Sequence, residues 1–260
     1  MRSSLSCTDS VFLSSDHVPD GDDGCVVWHC RQLRTTDHPV LAYAEREYDR
    51  ILPVFIVDPS FYGGDGLACD ARIRFLHESL ADLSDQYTDR NGELTLAHGD
   101  PITVLQSLTD AGWDIATTAD PTGRYGLRRY NAAAETCDVT FVDADGLVRN
   151  KEHSRENWSN NVETWLTDER FTWDETAVEI DHVETPVSVD TIEATYSVDP
   201  EKTIKRRGGT AAAWAVVESF ADRLAEYPWS ISAPSDARTG TSQLSPYLRF
   251  GCLSVREVYQ

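Results

Sequence analysis

The stretch CVVWHCRQLRTTDHPVLAYAEREYDRILPVFIV, residues 25–57, reads as a strand, a helix and a second strand. Its two ends, Cys25 to His29 and Ile51 to Val57, are short runs rich in β-branched and aromatic residues, a composition suited to a pleated, buried surface. Between them Pro39 to Arg50 reads as a helix. A helix joining two short strands is the crossover that parallel pairing requires. Working outward, the alternation continues with strands at Leu94 to Ala97, Ile115 to Ala119 and Val139 to Val142, each bounded by Asp, Gly or Pro. Helices fall at Ala71 to Tyr87, Pro101 to Ala111 and Leu127 to Glu135. In the first of these, Ile73, Leu76, Leu80 and Leu83 recur at helical spacing and should cover the sheet. The expected fold class is therefore α/β, a five-stranded doubly wound parallel sheet.

After Val142 the alternation stops. Residues 150–174 scatter Trp158, Trp165 and Trp173 among polar residues without a clean period, and read as irregular, partly buried chain. Residues 175–201 are acidic, rich in Thr and Val and poor in helix signals, as in a solvated connection. A basic cluster, Lys202, Lys205, Arg206 and Arg207, then leads through Gly208 and Gly209 into a helix from Thr210 to about Tyr227. The expected organisation is a disordered acidic leader (1–24), an α/β domain (25–174), an acidic linker (175–201) and the truncated start of an all-helical domain (202–260).

The chain's 23 Lys and Arg stand against 44 Asp and Glu, a formal charge of −21, with an isoelectric point of about 4.5. Such a surface repels phosphate on average. The acidity is spread along the chain, as expected of a protein adapted to molar salt, where screening acts beyond about 3 Å; DNA binding would then need a local basic patch. Cys7, Cys25, Cys30, Cys69, Cys137 and Cys252 show no paired CxxC spacing, so free thiols in a reducing cytoplasm are expected, with no metal site. Residues 1–24 hold no apolar stretch long enough for a signal peptide or membrane span. A cytoplasmic monomer is the expectation.

Three segments are placed to carry chemistry. The turn from Trp28 to Pro39 follows the first strand, where open α/β sheets gather ligands, yet it lacks both the dinucleotide and the P-loop glycine patterns. Its plain alternative is Thr36 or Asp37 capping the next helix while Arg31 and Arg34 pair with surface acids. The second segment, Gly123-Arg124-Tyr125-Gly126-Leu127-Arg128-Arg129, offers three arginines and a tyrosine at a helix start to an anionic or aromatic ligand, or is simply a solvated loop. The third, Thr239 to Arg256, brackets a helix start with hydroxyls at Thr241, Ser242 and Ser245. Free amides and hydroxyls there can cradle a diphosphate, and ordinary capping explains them equally well.

The third segment, Thr241-Ser242-x-Leu244-Ser245-Pro246-Tyr247-Leu248-x-Phe250-Gly251-x-Leu253-Ser254-x-Arg256, resembles the opening of the FAD site in the DNA photolyase/cryptochrome family. The turn Trp28 to Pro39, the stretch Arg72 to Leu76 and His98-Gly99-Asp100-Pro101 resemble that family in the same order. The resemblance implies an antenna-type α/β domain and an all-helical domain holding FAD in a folded conformation. It assigns Thr241, Ser242, Leu244 and Ser245 to the cofactor's phosphate and ribityl region, and Tyr227 to the diphosphate; Tyr227 also reads as a helix-end aromatic beside Pro228 and Trp229. Tyr125-Gly126-x-Arg128-Arg129 is similar to relatives that carry a deazaflavin antenna rather than a folate. The implied activity is blue-light repair of pyrimidine dimers in DNA by electron transfer from reduced FAD. A cryptochrome-type flavin photoreceptor and a truncated remnant are the alternatives. The residues of the catalytic centre and the face that meets damaged DNA are implied to lie beyond residue 260. Gln32 and His38 depart from the family's usual Asp and Asn.

Overall fold

The computed structural model describes residues 18–63, 66–119, 123–144, 157–200, 206–229 and 240–260. Gly24–His29 (β1) is buried along its whole length, as a strand covered by helices on both faces must be. It pairs in parallel with Arg50–Val57 (β2), Val26 opposite Leu52 and Trp28 opposite Val54. Pro39–Glu47 (α1) makes the crossover between them. Thr95–His98 (β3) pairs with β2, Asp114–Thr118 (β4) with β1, and Thr140–Val142 (β5) with β4, all in parallel. The order β3-β2-β1-β4-β5 is that of a doubly wound sheet. Asp70–Thr88 (α2), Pro101–Asp110 (α3) and Arg124–Thr136 (α4) supply the remaining layers. Of the helical stripe read in the sequence, Ile73, Leu80 and Leu83 are buried and Leu76 partly so.

The chain after β5 is more ordered than its composition suggests. Trp158–Thr167 (α5) forms where irregular chain is expected; none of its residues is fully buried, so no apolar period marks it. The stretch read as a solvated linker contains Glu179–Ile180 (β6), a sixth strand paired with the start of β2, and Val189–Tyr196 (α6). Val178, Val183, Val187, Ile192 and Val198 are buried there, so burial of branched residues at irregular spacing holds it down. Residues 18–24, read as the end of a disordered leader, also pack. The Trp113 indole donates to the Pro19 carbonyl at 2.8 Å, and a Cβ on Gly21 or Gly24 would strike the Trp113 ring. Residues 1–17, Lys202 and Lys205 lie outside the described residues.

Thr210–Ala221 (α7) is shorter than the sequence suggests and is followed by a 3-10 turn, Leu224–Trp229. Ser245–Phe250 (α8) and Val255–Tyr259 (α9) close the chain. All three helices are tied to the α/β layer. The start of α7 lies on α2: the Gly208, Gly209 and Thr210 amides donate to Glu78, Ser79 and Asp82 at 2.7, 3.1 and 2.9 Å. Tyr247, Cys252 and Leu253 share one core with Ile73, Leu80 and Phe55. Arg256 is 1% exposed, with its guanidinium 4.5 Å from the Trp165 ring centroid, 4.9 Å from that of Phe171 and 3.5 Å from the Asp37 carboxylate. The five cysteines among the described residues are all free. No helix among them is long and apolar enough to cross a membrane.

Candidate functional site

At the carboxyl ends of β1 and β2 the sheet opens into a cavity of about 400 Å³. The turn after β2 shapes one wall. Asp58 caps the 3-10 turn Pro59–Phe61 by accepting from the Ser60 amide at 2.8 Å, and its second oxygen accepts a short hydrogen bond from the Tyr125 hydroxyl. Tyr125 stands edge-on to Phe61 with centroids 4.6 Å apart. Arg129, one turn further along α4, lies 5.4 Å from the Tyr125 ring centroid and 5.3 Å from that of Trp28. Its Nε is buried without a hydrogen-bond partner, a costly state for a charged donor. Cys30 and Arg31 enter from the turn after β1, and Phe250 from the end of α8.

Arg31, Arg72, Arg129 and Arg249 line this cavity against one carboxylate, Asp58, in a chain whose overall charge is −21. The cavity is thus a local positive site with aromatic walls, suited to a planar aromatic ligand carrying negative charge. A second cavity, about 320 Å³ at the opposite end of the sheet, is lined by Asp23, Glu45, Glu47, Asp49 and Asp114 with Arg46 the one basic side chain among them, so its lining is mainly acidic. The three sequence segments meet at the first cavity. Of the arginine segment, Tyr125, Gly126 and Arg129 line it, whereas Arg124 and Arg128 face solvent. Asp58, Phe61 and Tyr62 were not singled out in the sequence. Their only signal there is position, at the carboxyl end of a strand.

The turn after β1 is built differently from its plain reading. His38, not Thr36 or Asp37, caps α1, accepting from the Leu41 amide at 3.2 Å. Arg34 is buried and donates to the carbonyls of Thr36, Asp37 and Gly251 at 2.9, 2.7 and 3.0 Å. This arginine organises the turn and holds the end of α8 instead of pairing with a surface acid. His29 donates to or accepts from the Tyr87 hydroxyl at 2.7 Å, and burial pushes its imidazole down from 6.5 to about 4.

Of the residues expected at a cofactor, Tyr227, Ser242 and Leu244 share a groove of about 360 Å³ beside α7. Tyr227 is half exposed there, edge-on to Phe220 with centroids 5.5 Å apart. Leu244 is buried and anchors the turn in the core, its amide donating to Ser242 and its carbonyl accepting from Leu248. Thr241 and Ser245 flank the groove without lining it. Thr241 accepts from the Gln243 side chain, and Ser245, the first residue of α8, is exposed. No side chain caps α8, and the Ser242 hydroxyl accepts from the Leu244 amide at 3.4 Å just before the helix.

Residues 25–152 match the family model described as DNA photolyase. The chain belongs to the DNA photolyase/cryptochrome family. It is 26% identical over 259 residues to a deoxyribodipyrimidine photo-lyase of Synechococcus, covering 90% of this chain and 52% of that one. To a cryptochrome DASH of Natronomonas pharaonis it is 29% identical over 268 residues, covering 92% and 56%. Among solved structures, the archaeal photolyase of Sulfolobus tokodaii, described with two FAD molecules, superposes with a TM-score of 0.69 at 25% identity. The superposition covers 91% of this chain and 54% of that one. The chain thus spans about half the length of the relatives it matches, and the photolyase-type α/β fold with helices following it accounts for the match.

Proposed function

We propose that this chain is the antenna domain and first part of the flavin lobe of a blue-light photolyase that repairs pyrimidine dimers in DNA. The observation that carries the reading is the arginine-rimmed aromatic cavity on an otherwise acidic protein. Its walls suit an antenna chromophore with a planar ring and an anionic tail, a deazaflavin or a second flavin in preference to a neutral ring. Arg129 supplies the unpartnered donor such a tail needs.

The groove fits the start of a FAD site. Ser242 and Tyr227 present a hydroxyl and an aromatic ring on one rim. Thr241 and Ser245 flank the groove to hold the cofactor's diphosphate through their hydroxyls. Bound FAD in its reduced form supplies the electron that opens the dimer. This chain's residues position it and exclude water through the apolar floor of Val217, Phe220 and Leu244. Damaged DNA is the partner proposed for the longer protein. The Synechococcus photo-lyase supports repair, and the DASH cryptochrome keeps signalling as the competing reading.

The test is the absorption spectrum and intact mass of the protein purified from its own cells, followed by illumination with dimer-containing DNA. A flavin band on a polypeptide longer than 29.1 kDa, with light-dependent loss of dimers, supports the reading. Flavin without repair turns it to a photoreceptor, and a colourless 29.1 kDa protein overturns it.

A further inference from the structure

Two buried histidines at the turn after β1 carry nitrogens that the proposed function does not use. His29 ends β1 and His38 stands just before α1. Each is 2% exposed, and their rings meet edge to face with centroids 5.1 Å apart. His29 Nδ1 and His38 Nε2 are buried and have no hydrogen-bond partner among the described residues, a state that polar atoms rarely keep inside a protein. The other nitrogen of each ring is engaged. His29 Nε2 is 2.7 Å from the Tyr87 hydroxyl, and His38 Nδ1 accepts from the Leu41 amide at 3.2 Å. Burial holds both imidazoles below 6.5, so at pH 7 each is neutral and carries one proton. In His38 that proton must sit on Nε2, because Nδ1 is the acceptor.

A third polar group belongs to the same place. The Gln32 backbone acts on both rings as an acceptor, against the effect of burial, yet neither orphan nitrogen closes a direct hydrogen bond to it. The Gln32 carbonyl takes the Arg34 amide at 2.8 Å, and a carbonyl oxygen has two lone pairs. We infer that His29 Nδ1, His38 Nε2 and the Gln32 carbonyl enclose one internal water molecule, which ties the end of β1 to the start of α1. Three partners is the usual number for a buried water. A water both donates and accepts, so it serves His29 in either tautomer and takes the proton that His38 offers.

Other occupants fit less well. A metal ion needs a lone pair where His38 Nε2 holds its proton. An anion would press against the Gln32 carbonyl oxygen, and the nearby Arg34 already donates to the carbonyls of Thr36, Asp37 and Gly251. The water also has a structural consequence. Gln32 lies at φ 59°, and its backbone is packed so closely on Gly251 that a Cβ there would lie 2.4 Å away. By holding the Gln32 carbonyl from behind, the water seats the turn against the end of α8.

The experiment is a high-resolution crystal structure of the protein, joined to nitrogen-15 NMR of its histidines. A single solvent peak within hydrogen-bond reach of all three atoms is expected, with His38 in the Nε2–H tautomer and cross-relaxation from that proton to a long-lived water. A crystal soaked in bromide should show no anomalous peak at the site. His29→Phe keeps the ring shape but removes one of the three partners, and is expected to lose the solvent peak. A bromide peak there would make it an anion site and overturn the proposal. So would both nitrogens closing directly on the Gln32 carbonyl without solvent between them, or His38 protonated at Nδ1. Full occupancy in His29→Phe would overturn the three-partner site, and the wild-type crystal and spectra decide it without that variant should it not fold.

Discussion

Single side chains decide how this chain responds to acid and to cofactor. His29 ends β1 in a fully buried position, and desolvation lowers it from 6.5 to about 4, with Arg34 nearby acting in the same direction. Between those values the unfolded chain binds a proton that the folded chain refuses, so stability is fully present above pH 6.5 and falls as pH drops towards 4. His38, His77 and His98 are shifted in the same direction and steepen the loss. His29→Gln keeps a partner for Tyr87 and removes one such proton, and is expected to flatten the fall; urea midpoints measured at steps from pH 7 to 4 would show it. At the groove, Thr241, Ser242 and Ser245 are three hydroxyls around one uncapped helix start. Replacing all three by Ala in the full-length protein should leave the fold intact and reduce retained flavin, read from the ratio of visible to protein absorbance. Unchanged occupancy would remove them from the cofactor site.

At the scale of elements, the join between the α/β layer and the first helices turns on how α8 ends. Gly251 closes that helix at φ 69°, and a Cβ there would lie 2.4 Å from the Gln32 backbone. Its carbonyl receives Arg34, and the Leu33 amide donates to the neighbouring Phe250 carbonyl at 3.1 Å. Gly251→Ala should therefore cost the roughly 1–2 kcal/mol of a left-handed backbone plus the price of pushing two backbones apart. Denaturant unfolding measures the sum, and a loss below that range would mean the join yields easily. The sheet's elements were legible because each of the five strands is a short run with Asp, Gly or Pro at or near one of its ends, and α2 carries a clear stripe. Three elements were not. β6 has two residues, too few for any period. α5 buries none of its residues. α6 buries only Ile192, although Ser188 and Thr191 form a capping box that a search for caps would have found. The cavity was half legible: the arginine segment pointed to it, but Asp58, Phe61 and Tyr62 become a wall only when β2 places them opposite α4.

For the whole molecule the governing quantity is charge. With a formal −21 on 260 residues, like charges repel across the surface, while arginines concentrate at the aromatic cavity and at the buried Arg34 and Arg256 joints. Salt acts on these two populations differently. Exposed carboxylates are screened as the Debye length shrinks from about 10 Å at 0.1 M to about 3 Å at 1 M, whereas buried pairs such as Arg256 with Asp37, each about 1–2% exposed at the side chain, are screened much less. Added salt thus removes repulsion and spares the internal ties, so the melting temperature is expected to climb as KCl is raised from low to molar concentration. Continued gain beyond a few tenths molar distinguishes a surface shaped for concentrated salt from ordinary screening, which is largely complete by then. A curve that is flat or falls would show that the acidity does not serve salt tolerance, and the charge would need another explanation, such as keeping nucleic acid away from every face but one.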